Sequence, residues 1–434
     1  MAFANFSFAA PAEPDPTYVP DFRVLRDVGD SILPLFGEDD GTIPDGTGQQ
    51  LLEGCMERNW VLTDHLIRLL ETAWRIKQAQ DDVKKAVNTQ DEKTGFTPAY
   101  LCVRENKPAF AEKLANLGAD LNVRIRDGST ALHFAAANLK EDVVRLLITV
   151  GSDASLQGGP LNQLPLHVAC ARKHGAFPVV QYLVYLSGEY ARLMMDAQGE
   201  TALWRATEAC HFHLVKELLK EQAAAQLSYQ NKVQNGDTVM HSALRRGQTD
   251  FLKVFIDTGA SVNIQNFDGQ TLLHIAVQNV NKAAITLLHE HNANAELVDK
   301  YERTPLHLAV ERGLDDVVNM LTELYSGSIH IRTKDGSTLA HIASLSGHPE
   351  TVLTLLKRGV YLHMPNKTGA LALHAAARTG HSSVVKALLM KGSKVDAKTR
   401  SNYTALHLAI EYAKSSVVEV LLGAGASVHT KGAR

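Results

Sequence analysis

Short apolar segments with helical spacing recur along most of the chain and are separated by brief polar turns. Between residues 48 and 86, two such segments place Leu, Cys and Met three or four positions apart, as on one face of a helix. The runs 142–147, 317–321 and 417–422 repeat the pattern, and a glycine follows several segments, as at Gly259. Glycine is favoured where a helix ends in a left-handed residue. The pattern therefore predicts an all-α chain of short helices joined by tight turns.

One short motif recurs at a nearly constant interval. The segment Arg303–Ala309 reads RTPLHLA, and related segments begin at Thr271, Thr338, Leu371 and Thr404, so that successive copies lie about 33 residues apart. Motif and period together resemble those of ankyrin repeats, in which each repeat is a pair of helices and a hairpin. This resemblance implies an all-α repeat solenoid of helix-turn-helix units with hairpins, stacked into a curved superhelix.

The motif residues suit the start of a helix. Threonine before the first helix can accept hydrogen bonds from free backbone N–H groups, and proline at the first helical position has no N–H to leave unpaired. By resemblance to ankyrin repeats, the histidine ring is expected to bond the backbone of the adjacent hairpin. Tyr100 occupies the histidine position in one repeat. The predicted motif residues are Thr130, His133, Thr201, Trp204, Thr238, His241, Thr271, His274, Thr304, Pro305, His307, Thr338, His341, His374, Thr404 and His407.

The motif positions divide the chain into a tail, a cap and ten repeats. Residues 1–46 form an acidic, proline-rich tail that is expected to be largely disordered, or to dock on the solenoid or a partner through its apolar runs. Residues 47–93 lack the motif and are predicted to be a degenerate repeat that caps the N-terminal end. The predicted repeats are 94–126, 127–160, 161–197, 198–234, 235–267, 268–300, 301–334, 335–367, 368–400 and 401–434, the last one truncated before a C-terminal cap.

Three successive intervals in the first half of the chain exceed the ordinary ankyrin period of about 33 residues. The interval between histidine positions is slightly longer from His133 to His167, and it is longer still in each of the next two steps, to Trp204 and to His241. Stacked helices must keep their register with their neighbours. We therefore expect the additional residues to lie in loops, near 173–177, 186–190 and 222–231.

Composition narrows the class of protein. The 434 residues carry 44 Lys and Arg against 47 Asp and Glu, a formal net charge of −3, so there is no overall basic footprint for nucleic acid. The four cysteines are scattered without a Cys-x-x-Cys pair, which is typical of a reduced intracellular protein. No apolar run approaches the length of a membrane span, and the apolar N-terminus lacks the basic residues of a signal peptide. These features predict a soluble chain with no membrane span of its own.

Histidine patterns are the candidates for chemistry. Eight of the nineteen histidines occupy the motif position, where stacked repeats would hold them about 8–10 Å apart, too far to share a metal ion. The run 210–213 reads Cys-His-Phe-His and resembles a ligand cluster, but by comparison with Gly347-His348 it falls on the turn between two helices. The sequence holds no phosphate-binding loop and no nucleophile elbow. We therefore predict a protein that is not an enzyme and uses no metal or cofactor.

Residues 332–374 carry features that are unusual for an ankyrin repeat. The segment 361–365, Tyr-Leu-His-Met-Pro, replaces the common hairpin sequence. Further matching segments are 158–160, 163–167 and 402–407, together with the long repeats at 164–238. Together they resemble the N-terminal ankyrin region of the TRPN mechanosensitive cation channels, the no-mechanoreceptor-potential-C (NOMPC) family. The resemblance covers roughly residues 95–434 and is strongest from residue 235 onward.

This resemblance implies a mechanical role. TRPN channels carry a long ankyrin solenoid ahead of six transmembrane helices, and the solenoid links the cation pore to microtubules as a gating spring. The chain would be the membrane-distal part of that tether, on the cytoplasmic side of the plasma membrane. Its implied partners are microtubules or tubulin and the neighbouring solenoids of a tetrameric channel. Because the last repeat ends at Arg434 without a polar capping helix, we expect the natural polypeptide to continue; a natural end that tolerates fraying is the alternative.

A second hypothesis needs no channel. The repeats alone equally predict a free-standing adaptor that binds partner proteins through its hairpin tips and concave groove. A transmembrane block downstream in the full transcript would favour the tether, and a stop codon shortly after Arg434 would favour the adaptor.

Overall fold

The computed structural model describes residues 43–172 and 177–430, so the predicted tail, apart from its last four residues, lies outside the described part of the chain. The chain divides into two compact units, residues 1–160 and 161–434. The described residues of both units are helical with tight turns and include no strand, although an isolated β-bridge pairs Asn231 with Asp237. The prediction of an all-α repeat solenoid is confirmed.

The first unit consists of helix pairs that pack on one another through buried leucines. Leu51, Leu66 and Leu101 are fully buried, and the thiols of Cys55 and Cys102 lie 4.0 Å apart between α1 and α4. The helices are α1 (Thr47–Met56), α2 (Trp60–Trp74), α3 (Gln80–Val87), α4 (Pro98–Arg104), α5 (Pro108–Asn116), α6 (Ala131–Ala137) and α7 (Glu141–Thr149), with a 3-10 turn, Lys77–Ala79, before α3.

The second unit continues the same alternation of a first helix, a turn, a second helix and a hairpin. Its largest fully buried side chains are Trp204 and Phe255. The helices are α8 (Pro165–Cys170), α9 (Phe177–Leu193), α10 (Ala202–Glu208), α11 (Phe212–Leu218), α12 (Ala223–Ser228), α13 (Val239–Arg245), α14 (Thr249–Asp257), α15 (Leu272–Gln278), α16 (Lys282–Glu290), α17 (Pro305–Glu311), α18 (Asp315–Leu324), α19 (Leu339–Ser346), α20 (Pro349–Lys357), α21 (Ala372–Thr379), α22 (Ser382–Met390), α23 (Ala405–Glu411) and α24 (Ser415–Gly423), with a 3-10 turn, Ser326–His330, after α18.

The additional residues of the two longest repeats are largely helical, so the expectation of loops is wrong at two of its three places. Residues 186–190 lie within α9, whose helical backbone is broken at Gly188 (φ 65°, ψ −170°). The segment 222–231 begins with α12, where Gln226 Nε2 donates to the carbonyl oxygens of Leu218 (2.7 Å) and Glu221 (2.9 Å). Of the third place, residues 173–176 lie outside the described residues.

Backbone hydrogen bonds join successive hairpin tips along the second unit. In each case the N–H of a tip residue donates to a carbonyl oxygen of the preceding hairpin. These bonds are Ala197 to Leu161 (2.8 Å), Phe267 to Asn235 (2.9 Å), Lys300 to Asp268 (2.7 Å), Lys367 to Asp335 (2.8 Å) and Arg400 to Thr368 (2.9 Å). The hairpins therefore form a continuous edge wherever these bonds occur.

Candidate partner-binding groove

The predicted threonines and histidines form one recurring hydrogen-bonded unit at the start of the first helices. The backbone N–H of Thr271 donates to Nδ1 of His274 (3.2 Å), and Thr271 Oγ1 accepts the His274 N–H (3.4 Å). The same N–H to Nδ1 bond, at 3.0–3.3 Å, joins Thr130 to His133, Leu164 to His167, Thr238 to His241, Thr304 to His307, Thr338 to His341, Leu371 to His374 and Thr404 to His407. Since Nδ1 accepts, the neutral ring carries its proton on Nε2.

The Nε2–H groups of five of these buried rings reach the backbone of a later segment. They donate from His167 to Met194 O (3.0 Å), His241 to Gln270 O (3.1 Å), His274 to Arg303 O (2.8 Å), His341 to Ala370 O (2.9 Å) and His374 to Ala397 O (3.0 Å). Burial lowers the pKa of His167 and of His241 to about 4. The neutral rings thus hold the first helix of one repeat to the hairpin region that follows it.

His307 departs from this arrangement. Its Nε2 is buried and has no hydrogen-bond partner among the described residues. Ser337 O, the carbonyl in the equivalent place, accepts the N–H of Thr333 (3.1 Å) but no bond from the His307 ring. Within the described residues, the backbone N–H of Lys334 also makes no bond to the preceding hairpin. The hairpin edge therefore lacks both of its usual bonds at this joint, where the side chains of Lys334 and Glu302 form an ion pair instead.

The same joint is held on the side of the turns. His348 Nε2 donates to Glu311 O (3.0 Å), and Thr351 Oγ1 donates to Asp315 Oδ1 (2.5 Å). These contacts connect α20 and its preceding turn to the repeat that contains α17 and α18. The repeats on either side of this joint are thus connected away from their hairpins.

The remaining predicted motif residues are Pro305, Thr201 and Trp204. Pro305 is the first residue of α17. Thr201 Oγ1 accepts the N–H of Trp204 (3.4 Å), and the Trp204 ring is fully buried with no hydrogen-bond partner for its Nε1 among the described residues. Trp204 therefore fills the histidine position by packing rather than by hydrogen bonding.

Sequence reasoning overlooked a recurring Asp or Asn in the hairpins, which is buried at Asp196, Asn266 and Asp299 and half-buried at Asn366. Asp299 Oδ1 accepts the N–H groups of Tyr301 (2.9 Å) and Arg303 (3.0 Å) and so shapes the turn. The equivalent residues, five positions before the helix cap, are Asp196, Asn266 and Asn366. Asp and Asn commonly bond their own backbone two residues on, so this recurrence in the sequence was the available signal.

A groove of about 470 Å³ lies between the hairpins and the first helices of the last repeats. Asn366, Ser401 and Tyr403 line it from the hairpins, and Arg378 and Tyr412 from the helices. The Arg378 guanidinium lies over the Tyr412 ring, 5.3 Å from its centre. The groove therefore offers a cation, an aromatic face and several hydrogen-bonding groups to a ligand.

The carboxylate of Asp335 also lines this groove. Burial opposes its ionisation, but hydroxyl hydrogen bonds from Ser337 (2.6 Å) and Thr333 (2.5 Å) outweigh it and hold the pKa of Asp335 below its usual range. A ligand must therefore accommodate a negative charge at this end of the groove.

Cys210 and His211 of the Cys-His-Phe-His run lie on the turn before α11, as their comparison with the Gly-His turns indicated, and Phe212 and His213 begin that helix. Cys210 has a positive φ of 61°, like Gly347 (85°) and Gly380 (94°) at the same turn. Across residues 43–172 and 177–430, no group of three or more His, Cys, Asp and Glu side chains is placed to hold a metal ion. None of the helices in these ranges is both long and apolar enough to span a membrane.

Several known proteins are similar to parts of this chain. E3 ubiquitin-protein ligase KEG of Arabidopsis thaliana is 27% identical over 304 residues, which are 64% of this chain and 18% of that protein. Transient receptor potential cation channel subfamily A member 1 of Homo sapiens is 27% identical over 250 residues, 57% of this chain and 19% of the channel. The B-cell lymphoma 3 protein homolog of Mus musculus is 32% identical over 130 residues, 29% of each chain. The chain thus spans less than a third of each of these relatives.

A family model described as ankyrin repeats (3 copies) matches the chain in six overlapping segments. They are residues 69–158, 99–191, 166–266, 241–335, 273–364 and 340–432. Together the matches extend over most of the chain and include the motif-bearing helices described above. The chain belongs to the ankyrin-repeat family.

Proposed function

We propose that this chain is the membrane-distal part of the cytoplasmic ankyrin tether of a mechanically gated TRPN-type cation channel. In this role it couples microtubules to a pore that lies outside the chain, on the cytoplasmic side of the plasma membrane. Neighbouring solenoids of a tetrameric channel are further partners. The role is mechanical and non-enzymatic, as suits a repeat scaffold.

The observation that carries this proposal is the joining of each repeat to its neighbours in the second unit. Hairpin-tip bonds such as Lys367 to Asp335 (2.8 Å) and ring bonds such as His274 to Arg303 (2.8 Å) connect consecutive repeats. A force applied to one repeat passes to the next, and small rotations between repeats add along the stack. The 250-residue similarity to a human transient receptor potential channel and the sequence resemblance around 361–365 support the same class of protein.

Co-sedimentation of the purified chain with taxol-stabilised microtubules, over a series of salt concentrations, tests the tether. We expect pelleting that weakens as salt rises, because charged surface contacts are screened. Absence of pelleting at low salt would contradict direct coupling to microtubules through this chain. Sequencing of the transcript beyond codon 434 tests the channel itself, which requires six transmembrane segments downstream.

An adaptor is the second candidate function, and the groove at Arg378 and Tyr412 favours it. Ankyrin repeats bind partner proteins, and the groove presents polar and aromatic groups at a concave surface, as a peptide-binding site requires. A stop codon shortly after Arg434 together with capture of one soluble partner would support the adaptor. Six downstream membrane spans would count against it.

A further inference from the structure

The last repeats carry a concentration of positive charge that the net charge of the whole chain conceals. From residue 332 to residue 430 there are twelve Lys and Arg and five Asp and Glu, a formal charge of +7. Since the whole chain has a net charge of −3, the rest of it carries −10. Charge of one sign on one part of a surface raises the local concentration of ligands of the opposite sign.

Most of these cations have no carboxylate partner in the part of the chain that the structure describes. Among those residues, Lys334 pairs with Glu302, and Arg358 pairs with Glu323. Both partners precede residue 332, and the other ten cations of this segment form no ion pair within the described ranges. The positive charge of this surface is therefore available to another molecule.

Two of these ten cations occupy equivalent hairpin tips. Lys367 and Arg400 are exposed and lie one repeat apart in the chain. Each donates its backbone N–H to the preceding hairpin, Lys367 to Asp335 O (2.8 Å) and Arg400 to Thr368 O (2.9 Å), so their tips lie in successive repeats. Packed helices in neighbouring repeats are about 8–10 Å apart. The two charges therefore stand at about that spacing along one edge.

This edge borders the groove described above, whose floor is formed by the helix-side residues Arg378 and Tyr412. Arg378 and Tyr412 lie on α21 and just after α23, and the groove is also lined by Thr368 and Ser401, which follow Lys367 and Arg400 in the chain. Tyr412 is exposed, so its ring is accessible together with the guanidinium over it. A bound chain can therefore meet cations at the rim and an aromatic surface at the floor.

The chemistry favours a peptide over a nucleic acid. Asp335 and Glu411 also line the groove, and a strand with a charge at every unit would be repelled there. A peptide in the extended polyproline II conformation has three residues per turn and advances about 3.1 Å per residue, so every third side chain lies on the same side at about 9 Å, which matches the spacing of neighbouring repeats. A peptide can carry carboxylates at that interval and neutral residues beside Asp335 and Glu411.

We propose that the edge formed by Lys367 and Arg400, with Arg378 and Tyr412 on the groove floor, binds an extended acidic segment of a partner protein that has a carboxylate at about every third residue. The inference rests on the proposed function only in that the repeats bind proteins. It requires neither a channel nor a microtubule.

Fluorescence anisotropy with the full 434-residue chain tests this site. The probe is a labelled twelve-residue peptide with Glu at every third position and Leu and Ser between them. We expect saturable binding in 50 mM salt that weakens at 200 mM salt, because screening reduces the attraction. We expect at least tenfold weaker binding when the four Glu residues are contiguous or replaced by Gln. Equal binding of the spaced and contiguous peptides, or no binding of either, would overturn the proposal.

Two double variants with the same change of charge separate the edge from general attraction. K367E/R400E alters the proposed edge, whereas K386E/K391E alters exposed residues in and just after α22. We expect the first to weaken peptide binding at least tenfold and the second less than threefold. Equal losses would refute a specific site. Far-UV circular dichroism checks the fold, and K367Q/R400Q replaces the first variant if it does not fold.

Two further measurements distinguish the possible polyanions. A labelled twelve-nucleotide oligo-dT that bound more tightly than the spaced peptide, and lost binding in K367E/R400E, would assign the edge to nucleic acid and overturn the proposal. Microtubule pelleting by the same variants separates this inference from the tether. Peptide binding without pelleting would leave the acidic-segment site intact and contradict the tether, and pelleting without peptide binding would do the reverse.

Discussion

The histidine bonds between repeats can be measured with a matched pair of substitutions, His341→Leu and His307→Leu. Both remove the Nδ1 acceptor for the N–H of the preceding threonine, at 3.1 Å in each case. Only His341 also donates from Nε2 to the next hairpin, at Ala370 O (2.9 Å). His307 Nε2 has no partner among the described residues. The difference between the two variants therefore isolates the bond between repeats.

The expected loss of stability in each variant depends on which hydrogen bonds the remaining backbone groups keep. Ala370 O keeps the N–H of Asn366 (2.9 Å) after the ring is removed, so the lost bond costs about 1 kcal/mol rather than a full desolvation penalty. Leaving the threonine N–H without its acceptor costs about 1 kcal/mol in both variants, and in His307→Leu the removal of an unpaired buried N–H offsets part of that. We expect His341→Leu to be destabilised by about 2 kcal/mol and His307→Leu by about 1 kcal/mol or less.

Urea unfolding at pH 7.5, followed by far-UV circular dichroism, is the assay. At this pH the buried rings are neutral in the folded chain. The midpoints give the difference in unfolding free energy provided that both variants keep the same dependence on urea. Equal destabilisation, or a larger loss for His307→Leu, would refute the assignment of the His341 bond as a contact that stabilises the stack.

Three further predictions concern buried charge. The unfolded chain takes up protons near pH 6.5, whereas burial lowers the pKa of His167 and His241 to about 4 in the fold. Stability should therefore fall between pH 6.5 and 4, by on the order of 1–2 kcal/mol for each ring at pH 5; urea midpoints that do not change between pH 7.5 and 5 would contradict this. Leu306→Asp places a carboxylate where the side chain is only 1% exposed, and should unfold several repeats with loss of helical circular dichroism, whereas Val298→Asp, at a 42% exposed position, should not. Burial raises the pKa of Glu200 from 4.5 to about 7, so wild-type stability should fall as pH rises from 4.5 to 7; Glu200→Gln should gain stability relative to the wild type over that range, and parallel pH profiles would exclude this ionisation.

The sequence was sufficient to predict the helix pairs because the signals that start them are local. A threonine cap, the histidine three residues later and the apolar face of the next helix lie within about one repeat of each other, as at Thr271 and His274. The additional residues near 222–231 could not be placed in the same way. A longer interval between motifs gives the number of additional residues but not their secondary structure. Here the side chain of Gln226 bonds the preceding backbone and helps the additional residues form a helix rather than a loop.

The candidate groove and its basic edge could not be predicted from the sequence, for a different reason. The net charge of −3 is a sum over the whole chain, and it conceals a segment that carries +7. Lys367 and Arg400 become one edge only when hydrogen bonds place their hairpins in adjacent repeats. The unpaired ring of His307 was equally hidden, because Thr304 and His307 match the motif residues of repeats whose rings are bonded, such as Thr271 and His274.

The joint after His307 has a kinematic consequence. Hydrogen bonds from His348 to Glu311 and from Thr351 to Asp315 hold this joint at the turns, while the hairpin edge lacks the backbone and ring bonds found at the neighbouring joints and is crossed by the ion pair of Lys334 with Glu302. Two bodies fastened more firmly along one edge rotate about that edge, so the turns act as the axis of a hinge and the hairpins as its weaker side. Under load, we expect the surface ion pair of Lys334 with Glu302 to part before the bonds at the turns. Extension of the solenoid would then begin as an angular opening at one position before it becomes a uniform stretch.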